Sequence, residues 1–387
     1  MSSPTKLRQQ SIRSILRSVW NWRWVRWSAY IVLGVAILAA CSILLFKTVC
    51  ASVATVPGTV ARTTSPVLYG EMTGIPDYNR PEESTYLTFA EWYTVFSYQE
   101  YATHVTTQSP SSFPYARAIG QFWVSYCNGY EATRHDYPFN SDNHLMLAVV
   151  GLSFSTEYAI KGAYENTVGR ITEIDSYTTP QDRVNTDLSI AYGAFIPDEP
   201  WYAFPFHSWL GDVWRTPVFG DSPLRRFERK GFLVTENAIK TGYASVIKKA
   251  TGAVYGAPDP VVYLTASNVP RDVTSLDPRI SVIKQLDNGR TVLSVPHYQG
   301  FTETIPLLAR AGVTFHDFAG NDEIAITAVI PRDLGIPAFA GRELYRMPVL
   351  IDAERERIAI LVDVPDLGTA FTFYDENDVF VEHLYDY

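Results

Sequence analysis

Two histidines and several carboxylates lie close together in the sequence between residues 131 and 144. Glu131 and His135 are one helical turn apart and share a face if this segment is helical, while Asp136, Asp142 and His144 lie in or beside a predicted turn. Imidazole nitrogens and carboxylate oxygens are common ligands of divalent metals. These five residues therefore predict a divalent-metal site, and a metal-dependent enzyme is one functional hypothesis.

The same residues also have a structural interpretation, in which they form intrahelical ion pairs and a polar cap. Glu100 and His104 repeat the four-residue spacing on the preceding predicted helix and would extend a metal site. Di-iron bundles, however, use Glu-x-x-His, which is one residue shorter. The sequence leaves both interpretations open.

Two further histidines lie near a carboxylate in the sequence. His207 precedes Asp212, which could orient it as a general base, and His297 and Glu303 flank a predicted strand-to-helix turn. A hydrogen-bonded core histidine and a helix cap are the more common roles of such residues. The sequence has no Gly-rich phosphate loop, no His-Glu-x-x-His and no cysteine pair at zinc spacing, so whether the protein is an enzyme stays undecided.

Aromatic residues make up 14% of the chain and are densest between residues 86 and 215. A pocket for a lipid or a quinone would use such rings for stacking, which gives a lipid- or quinone-binding module as a further hypothesis. Helical spacing also places large aromatic side chains in the core of a bundle without any ligand. We favour the core.

The N-terminal part of the sequence predicts a membrane anchor. Residues 27–46 form an uncharged, mostly apolar run of 20 residues, enough to span a bilayer as a helix. Six basic residues and no acidic one precede this run, which places the N-terminus in the cytoplasm and the rest of the chain outside it. Cleaved signal peptides have shorter apolar runs, so an uncleaved signal-anchor in the inner membrane is favoured.

The charge of the chain limits its partners. The chain holds 32 basic and 41 acidic residues, but the first 70 residues contain eight basic and no acidic ones, so 24 basic and 41 acidic residues follow Gly70. A body so acidic is a poor ligand for nucleic acid. The basic, amphipathic residues 1–26 suit an anionic inner leaflet, so the predicted partners are membrane lipid and other envelope proteins.

The sequence pattern divides the chain into five parts. These are a basic cytoplasmic segment (1–26), the anchor (27–46), a linker (47–84), an aromatic-rich helical domain (85–256) and an α+β domain (257–387). In the helical domain, Thr179-Pro180 and Ser222-Pro223 predict helix starts. The apolar stretch from His144 to Ser155 is too short to span a membrane and predicts a buried core helix.

After Gly256 the apolar residues alternate, which predicts an antiparallel sheet. The predicted strands include residues 347–352 and 370–374, and a strand–helix–strand–strand unit from Thr291 to Ile330 suggests a ferredoxin-like topology. No internal repeat is visible. The predicted fold class is a single transmembrane helix, then a mainly α-helical domain and an α+β domain. The leading functional hypothesis is binding, as a scaffold, assembly factor or receptor.

Overall fold

The computed structural model describes residue 50 and residues 88–133, 140–173, 178–251 and 261–385. The chain divides into two compact units, residues 1–53 and 54–387, and the fold below belongs to the second. The predicted anchor and linker lie outside the described residues. Among the helices that are described, none is long and apolar enough to cross a membrane.

The described residues between 88 and 251 are mainly helical, as predicted. The helices of this part are α1 (Phe89–Thr107), α2 (Tyr115–Thr133), α3 (Ser141–Tyr164), α4 (Pro180–Phe195), α5 (Phe206–Arg215) and α6 (Pro223–Thr251). Thr179 caps α4 through a capping box with Asp182, and Pro180 and Pro223 occupy the first positions of α4 and α6. Both predicted helix starts are therefore confirmed.

Aromatic side chains form the core of the helical part. The ring of Tyr158 lies 4.3 Å from that of Phe154 and 5.6 Å from that of Tyr98, measured between centroids. Tyr98 in turn meets Tyr192 edge to face at 5.0 Å. These rings fill the space between α1, α3 and α4, as the structural interpretation of the aromatic residues predicts.

Residues 261–385 form two four-stranded antiparallel sheets with two further helices. The strands are β1 (Val261–Ser267), β2 (Ser281–Gln285), β3 (Thr291–Pro296), β4 (Thr314–Phe318), β5 (Glu323–Pro331), β6 (Arg342–Pro348), β7 (Arg355–Asp363) and β8 (Phe380–Leu384), and the helices are α7 (Gln299–Arg310) and α8 (Leu367–Glu376). The strand orders are β2-β3-β1-β4 and β6-β7-β5-β8. The mixed α+β class is confirmed.

The two sheets are successive copies of one topology. Each copy runs strand–strand–strand–helix–strand, and in each the first strand lies between the third and the fourth. A short 3₁₀ turn, Val273–Ser275 or Ala338–Ala340, separates the first two strands in both copies. The C-terminal part is therefore a tandem repeat, and the prediction of no internal repeat is wrong at the level of structure.

The strand registers of the copies agree residue by residue. Thr265 pairs with Asp317 in the first copy and Thr327 pairs with His383 in the second, and the register shifts immediately after each threonine. A second shift lies between the second and third strands of both copies. Matching irregularities of this kind are conserved features, so the likeness of the copies extends beyond strand order.

The two copies pack on each other reciprocally. Helix α7 of the first copy contacts α8 and strand β8 of the second, while α8 contacts β4 of the first. The hydroxyl of Thr302 in α7 accepts a hydrogen bond from the backbone nitrogen of Leu384 at 3.0 Å. Each copy therefore supplies part of the other's core.

The tandem repeat corrects the predicted topology. The unit Thr291–Ile330 crosses from one sheet to the other, because β5 begins the second sheet. Residues 370–374 belong to α8, not to a strand, because Pro365 and Asp366 precede an apolar run that turns helical. The strand predicted at residues 347–352 is instead β6, which lies mostly before Met347.

The helical part and the second sheet share a buried ion pair. The guanidinium of Arg357 on β7 binds Glu100 of α1 at 2.6 Å and Glu382 of β8 at 2.6 Å. Glu100 also accepts a hydrogen bond from the backbone of Leu350. The division of residues 85–387 into two domains stays a prediction, since these contacts join the two parts.

Candidate functional site: a polar-cored helix pair with an apolar outer face

The predicted metal ligands are only partly within the described residues. Glu131 lies at the end of α2 and His144 in the first turn of α3. His135 and Asp136 lie outside the described residues, as does the side chain of Asp142. In the part of the chain that the structure describes, no three His, Cys, Asp or Glu side chains are placed to hold a metal ion. The metal site stays a prediction.

His144 is buried between α2 and α3. Its Nδ1 is 2.8 Å from the hydroxyl of Tyr126, and its ring meets that of Tyr130 edge to face. Burial lowers the pKa of its imidazole from the ordinary value. The neutral ring therefore holds two tyrosines in the packing of α2 against α3.

The other candidate residues have structural partners. Glu100 binds Arg357, and His104 lies 3.0 Å from the carbonyl oxygen of Ser109 and the hydroxyl of Ser112. His207 is exposed, not a core residue, and Asp212 binds Arg215 at 2.7 Å. Glu303 binds Arg279 at 3.0 Å. Neither predicted catalytic pair is brought together by these contacts.

Helix α3 differs from the buried helix predicted for residues 144–155. Leu147 and Phe154 are buried, but Leu145, Val149 and Leu152 are exposed, with 46%, 50% and 43% of their surface accessible. The sequence predicts a core helix here because these residues carry no charge and an uncharged helical face is normally covered. Leu145, Val149 and Leu152 are instead turned towards the surface.

Helices α3 and α6 run antiparallel and meet through charged side chains. Lys240 of α6 binds Glu157 of α3 at 2.9 Å and Glu236 of its own helix at 3.0 Å. Lys161 of α3 binds the same Glu236 at 3.2 Å and lies 4.3 Å from the ring centre of Tyr101. Two lysines and two glutamates therefore alternate along this part of the helix contact.

Glu236, Lys161 and Lys240 stay ionised although they are largely buried. Burial alone raises the pKa of Glu236, but Lys161 and Lys240 outweigh it and hold the pKa far below its usual range. For Lys240, burial lowers the pKa, but Glu157 and Glu236 raise it by more, so the pKa lies above its ordinary value. Each charge is thus stabilised by neighbouring charges of opposite sign.

A second cluster lies nearer the start of α6. Arg229 is fully buried, and its guanidinium binds Glu165 at 2.7 Å and Asp182 at 2.9 Å. Arg225 binds Asp182 at 3.2 Å and donates to the carbonyl oxygen of Gly169 at 2.9 Å. The contact between α3, α4 and α6 is therefore polar along much of its length.

Glu165 begins a π-helical turn, Glu165–Gly169, that follows α3. A Cβ atom at Gly169 would lie 2.5 Å from Oε2 of Glu165, so only glycine leaves room for the carboxylate. That oxygen has no hydrogen-bond partner. Because π turns insert a residue into the helix, this turn sets the direction of Glu165 towards Arg229.

The side of the pair turned away from the core carries no charge over several turns. Steps of three or four residues along α3 lead from Leu145 through Val149, Leu152 and Thr156 to Ile160. The same steps along α6 give Gly231, Thr235, Ile239, Gly242 and Val246. Each of these residues is exposed, Ile160 by 63% and Ile239 by 66%. We call these ten residues the outer face.

The outer face brings six aliphatic side chains into one exposed patch. Each of them keeps between 43% and 66% of its surface accessible: Leu145, Val149, Leu152, Ile160, Ile239 and Val246. Contiguous apolar patches of this kind on a soluble protein are often functional. The inner side of α3 carries ion-paired charges beside Leu147 and Phe154, whereas a surface helix usually turns its charges towards solvent.

A shallow groove lies between α1 and α4. It encloses about 310 Å³ and is lined by small, polar and aliphatic residues, among them Thr103, Ile190 and Gly193. No aromatic side chain lines it, so this groove offers no ring on which a quinone could stack.

Sequence periodicity did not identify the outer face, although the signal was present. Glu157 and Lys161 of α3 and Glu165 of the following turn recur every four residues, a spacing that fits either a solvated face or ion pairs. Acidic and basic residues at matching intervals on α6, Glu236 and Lys240, indicate instead that they pair across the helices. Comparison with protein families, with curated proteins and with solved structures finds no match.

Proposed function

We propose that this protein acts by binding, as a dimeric scaffold anchored in the inner membrane by residues 27–46, and that two copies meet through the outer face. The observation that carries the proposal is the uncharged outer face above a polar helix contact. A contiguous apolar patch on a protein surface often marks a site where a partner binds.

A second copy of the chain fits this face. The contact of Ser153 with Tyr243 and the pair Glu157–Lys240 place Leu152 at the same level as Gly242. A two-fold axis would run parallel to α3 and α6, above the line where these two helices meet. It would place α3 of one copy on α6 of the other. The leucine of each copy would then face the glycine of its partner.

The glycines of α6 support a helical occupant. A Cβ atom at Gly231 or Gly242 would meet no other atom within 4 Å, so nothing inside the fold requires glycine there. Glycine in a helix interior costs about 1 kcal/mol relative to alanine. Two such residues on one face, three turns apart, are typical of a site where another helix approaches closely.

The size of the face also suits a dimer. A stable interface buries about 800 Å² on each partner, so the residues around the outer face would contribute to it beside its ten members. The interface would be isologous, because the same residues contribute from both copies.

The proposal is tested by the mass of the full chain in detergent, measured by light scattering during gel filtration. Ile239→Glu places a charge on the outer face, and we expect this variant to be monomeric at concentrations where the unchanged protein is a dimer, because burying an unpaired charge costs several kcal/mol.

Leu307→Glu is the matched control, since Leu307 is exposed on α7, away from the outer face. We expect it to remain dimeric, and both variants to keep the helical circular dichroism of the unchanged chain. A monomeric unchanged protein, or a dimer that Ile239→Glu leaves intact, would show that the outer face does not join two copies.

A further inference from the structure

A second group of exposed apolar residues lies where α5 leads into α6. It consists of Trp214, Phe219, Leu224 and Phe227, which we call the aromatic tip. Phe219 has 85% of its surface accessible and Phe227 has 72%. None of these residues belongs to the outer face, so the tip needs a separate explanation.

The loop that carries Phe219 is braced by three side chains. Arg226 donates to the carbonyl oxygens of Phe219 at 2.9 Å and of Asp221 at 2.7 Å. Lys230 donates to that of Thr216, and Gln181 to that of Pro217. The phenyl ring is therefore held out from a loop of defined shape.

The carbonyl groups of the loop are largely occupied by these contacts. Four backbone carbonyl groups between residues 216 and 221 accept hydrogen bonds from side chains of the protein. The bracing is therefore internal to the protein and does not depend on what surrounds the loop.

Basic side chains surround the tip. The ammonium group of Lys230 lies 5.4 Å from the ring centre of Trp214. The guanidinium group of Arg226 lies beside Gly220, where a Cβ atom would come within 2.7 Å of it. Arg215 is exposed at the base of the loop and is bound to Asp212. Residues 212–230 contain five basic and three acidic residues, whereas the chain after Gly70 has a large acidic excess.

We propose that the aromatic tip inserts into the headgroup region of a phospholipid bilayer. Tryptophan and phenylalanine partition into this region, and lysine and arginine near them contact lipid phosphates. The tip would fix the orientation of the body above the membrane. In the dimer described above, the two-fold axis parallel to α6 would place both tips at the same end.

The test uses the full chain bound to vesicles of phosphatidylethanolamine and phosphatidylglycerol. An environment-sensitive fluorescent amino acid replaces Phe219 in one sample and Asn288, exposed in the β2–β3 turn, in another. Lipids that carry bromine on their acyl chains quench a fluorophore only at short range. We expect severalfold stronger quenching at position 219 than at position 288.

A second variant separates insertion from mere proximity. Trp214→Ser/Phe227→Ser removes two rings of the tip and leaves Arg226, Lys230 and Gln181 in place, so we expect it to lose most of the quenching at position 219. Equal quenching at the two labelled positions, or none at position 219 in membrane-bound protein, would overturn the proposal. The dimer is unaffected by either result, because its test reports mass in detergent.

Discussion

Arg229 shows how much a single residue contributes to this fold. Its guanidinium has no contact with solvent and binds two carboxylates from different segments, Glu165 in the π turn and Asp182 in α4. A buried pair gives little net stability compared with apolar residues, but removing one partner leaves the other charge without compensation. The arginine is therefore required by the carboxylates that the fold has buried.

We expect Arg229→Met to lower the free energy of unfolding by about 3–5 kcal/mol, since two buried carboxylates lose an ion-pair partner. Denaturant unfolding followed by circular dichroism measures this change. Arg183→Met, on the exposed side of α4, is the control and should cost less than about 0.5 kcal/mol. Equal losses in the two variants would show that the cluster is not structurally important.

Helix α1 and strand β8 are joined by an aromatic stack. The indole of Trp92 lies on the imidazole of His383 with 3.4 Å between ring centres, and Nδ1 of His383 is 3.1 Å from the hydroxyl of Thr302. Burial, together with the nearby His297, holds the pKa of His383 well below the ordinary value. The stack therefore requires a neutral imidazole.

This requirement makes the stability depend on pH. The unfolded chain takes up a proton at His383 near pH 6.5, whereas the folded chain does so only at much lower pH, so stability falls as the pH drops below about 6.5. His383→Phe keeps a ring against Trp92 but cannot titrate. We expect it to reduce the loss of unfolding free energy between about pH 7 and pH 5.5, by up to 1.4 kcal/mol per pH unit.

Unfolding by denaturant at the two pH values gives the measurement. The buried His104 and His144 are present in both proteins, so the difference between them reports on His383 and its neighbour His297. A pH dependence in His383→Phe equal to that of the unchanged protein would show that the imidazole is not held neutral by the fold.

Element types followed from local sequence where local chemistry decides them. Thr179-Pro180 fixes the start of α4 through a cap, and alternation identified β1, β5 and β7. Strand β6 was misplaced because Arg342, Glu343 and Arg346 interrupt its apolar pattern, as charged residues do on edge strands.

The features that could not be predicted from the sequence depend on contacts between distant elements. The tandem repeat is carried by strand order and by matching bulges, while the copies share little more than Leu264-Thr265-Ala266 and Ile326-Thr327-Ala328. The outer face appears only when the charges of α3 are seen to pair with those of α6. Periodicity shows that a helix has two sides, but not which side is covered.

At the scale of the whole molecule, the proposed anchor makes a prediction about topology. A reporter that is active only outside the cytoplasm, fused after Val60, should be active, because the basic residues before Trp27 keep the N-terminus inside. Changing Arg8, Arg13, Arg17, Arg23 and Arg26 to glutamate should reduce this activity. Full activity, at the same position, of a reporter that works only in the cytoplasm would show that the predicted topology is wrong.

The reciprocal packing of the two copies at the C-terminus has a consequence for folding. A single copy would leave α7 or β8 without the surface on which it rests, so neither copy completes its core alone. Because both copies belong to one chain, each meets the other at an effective concentration of millimolar order. The association of the two copies is therefore independent of the protein concentration.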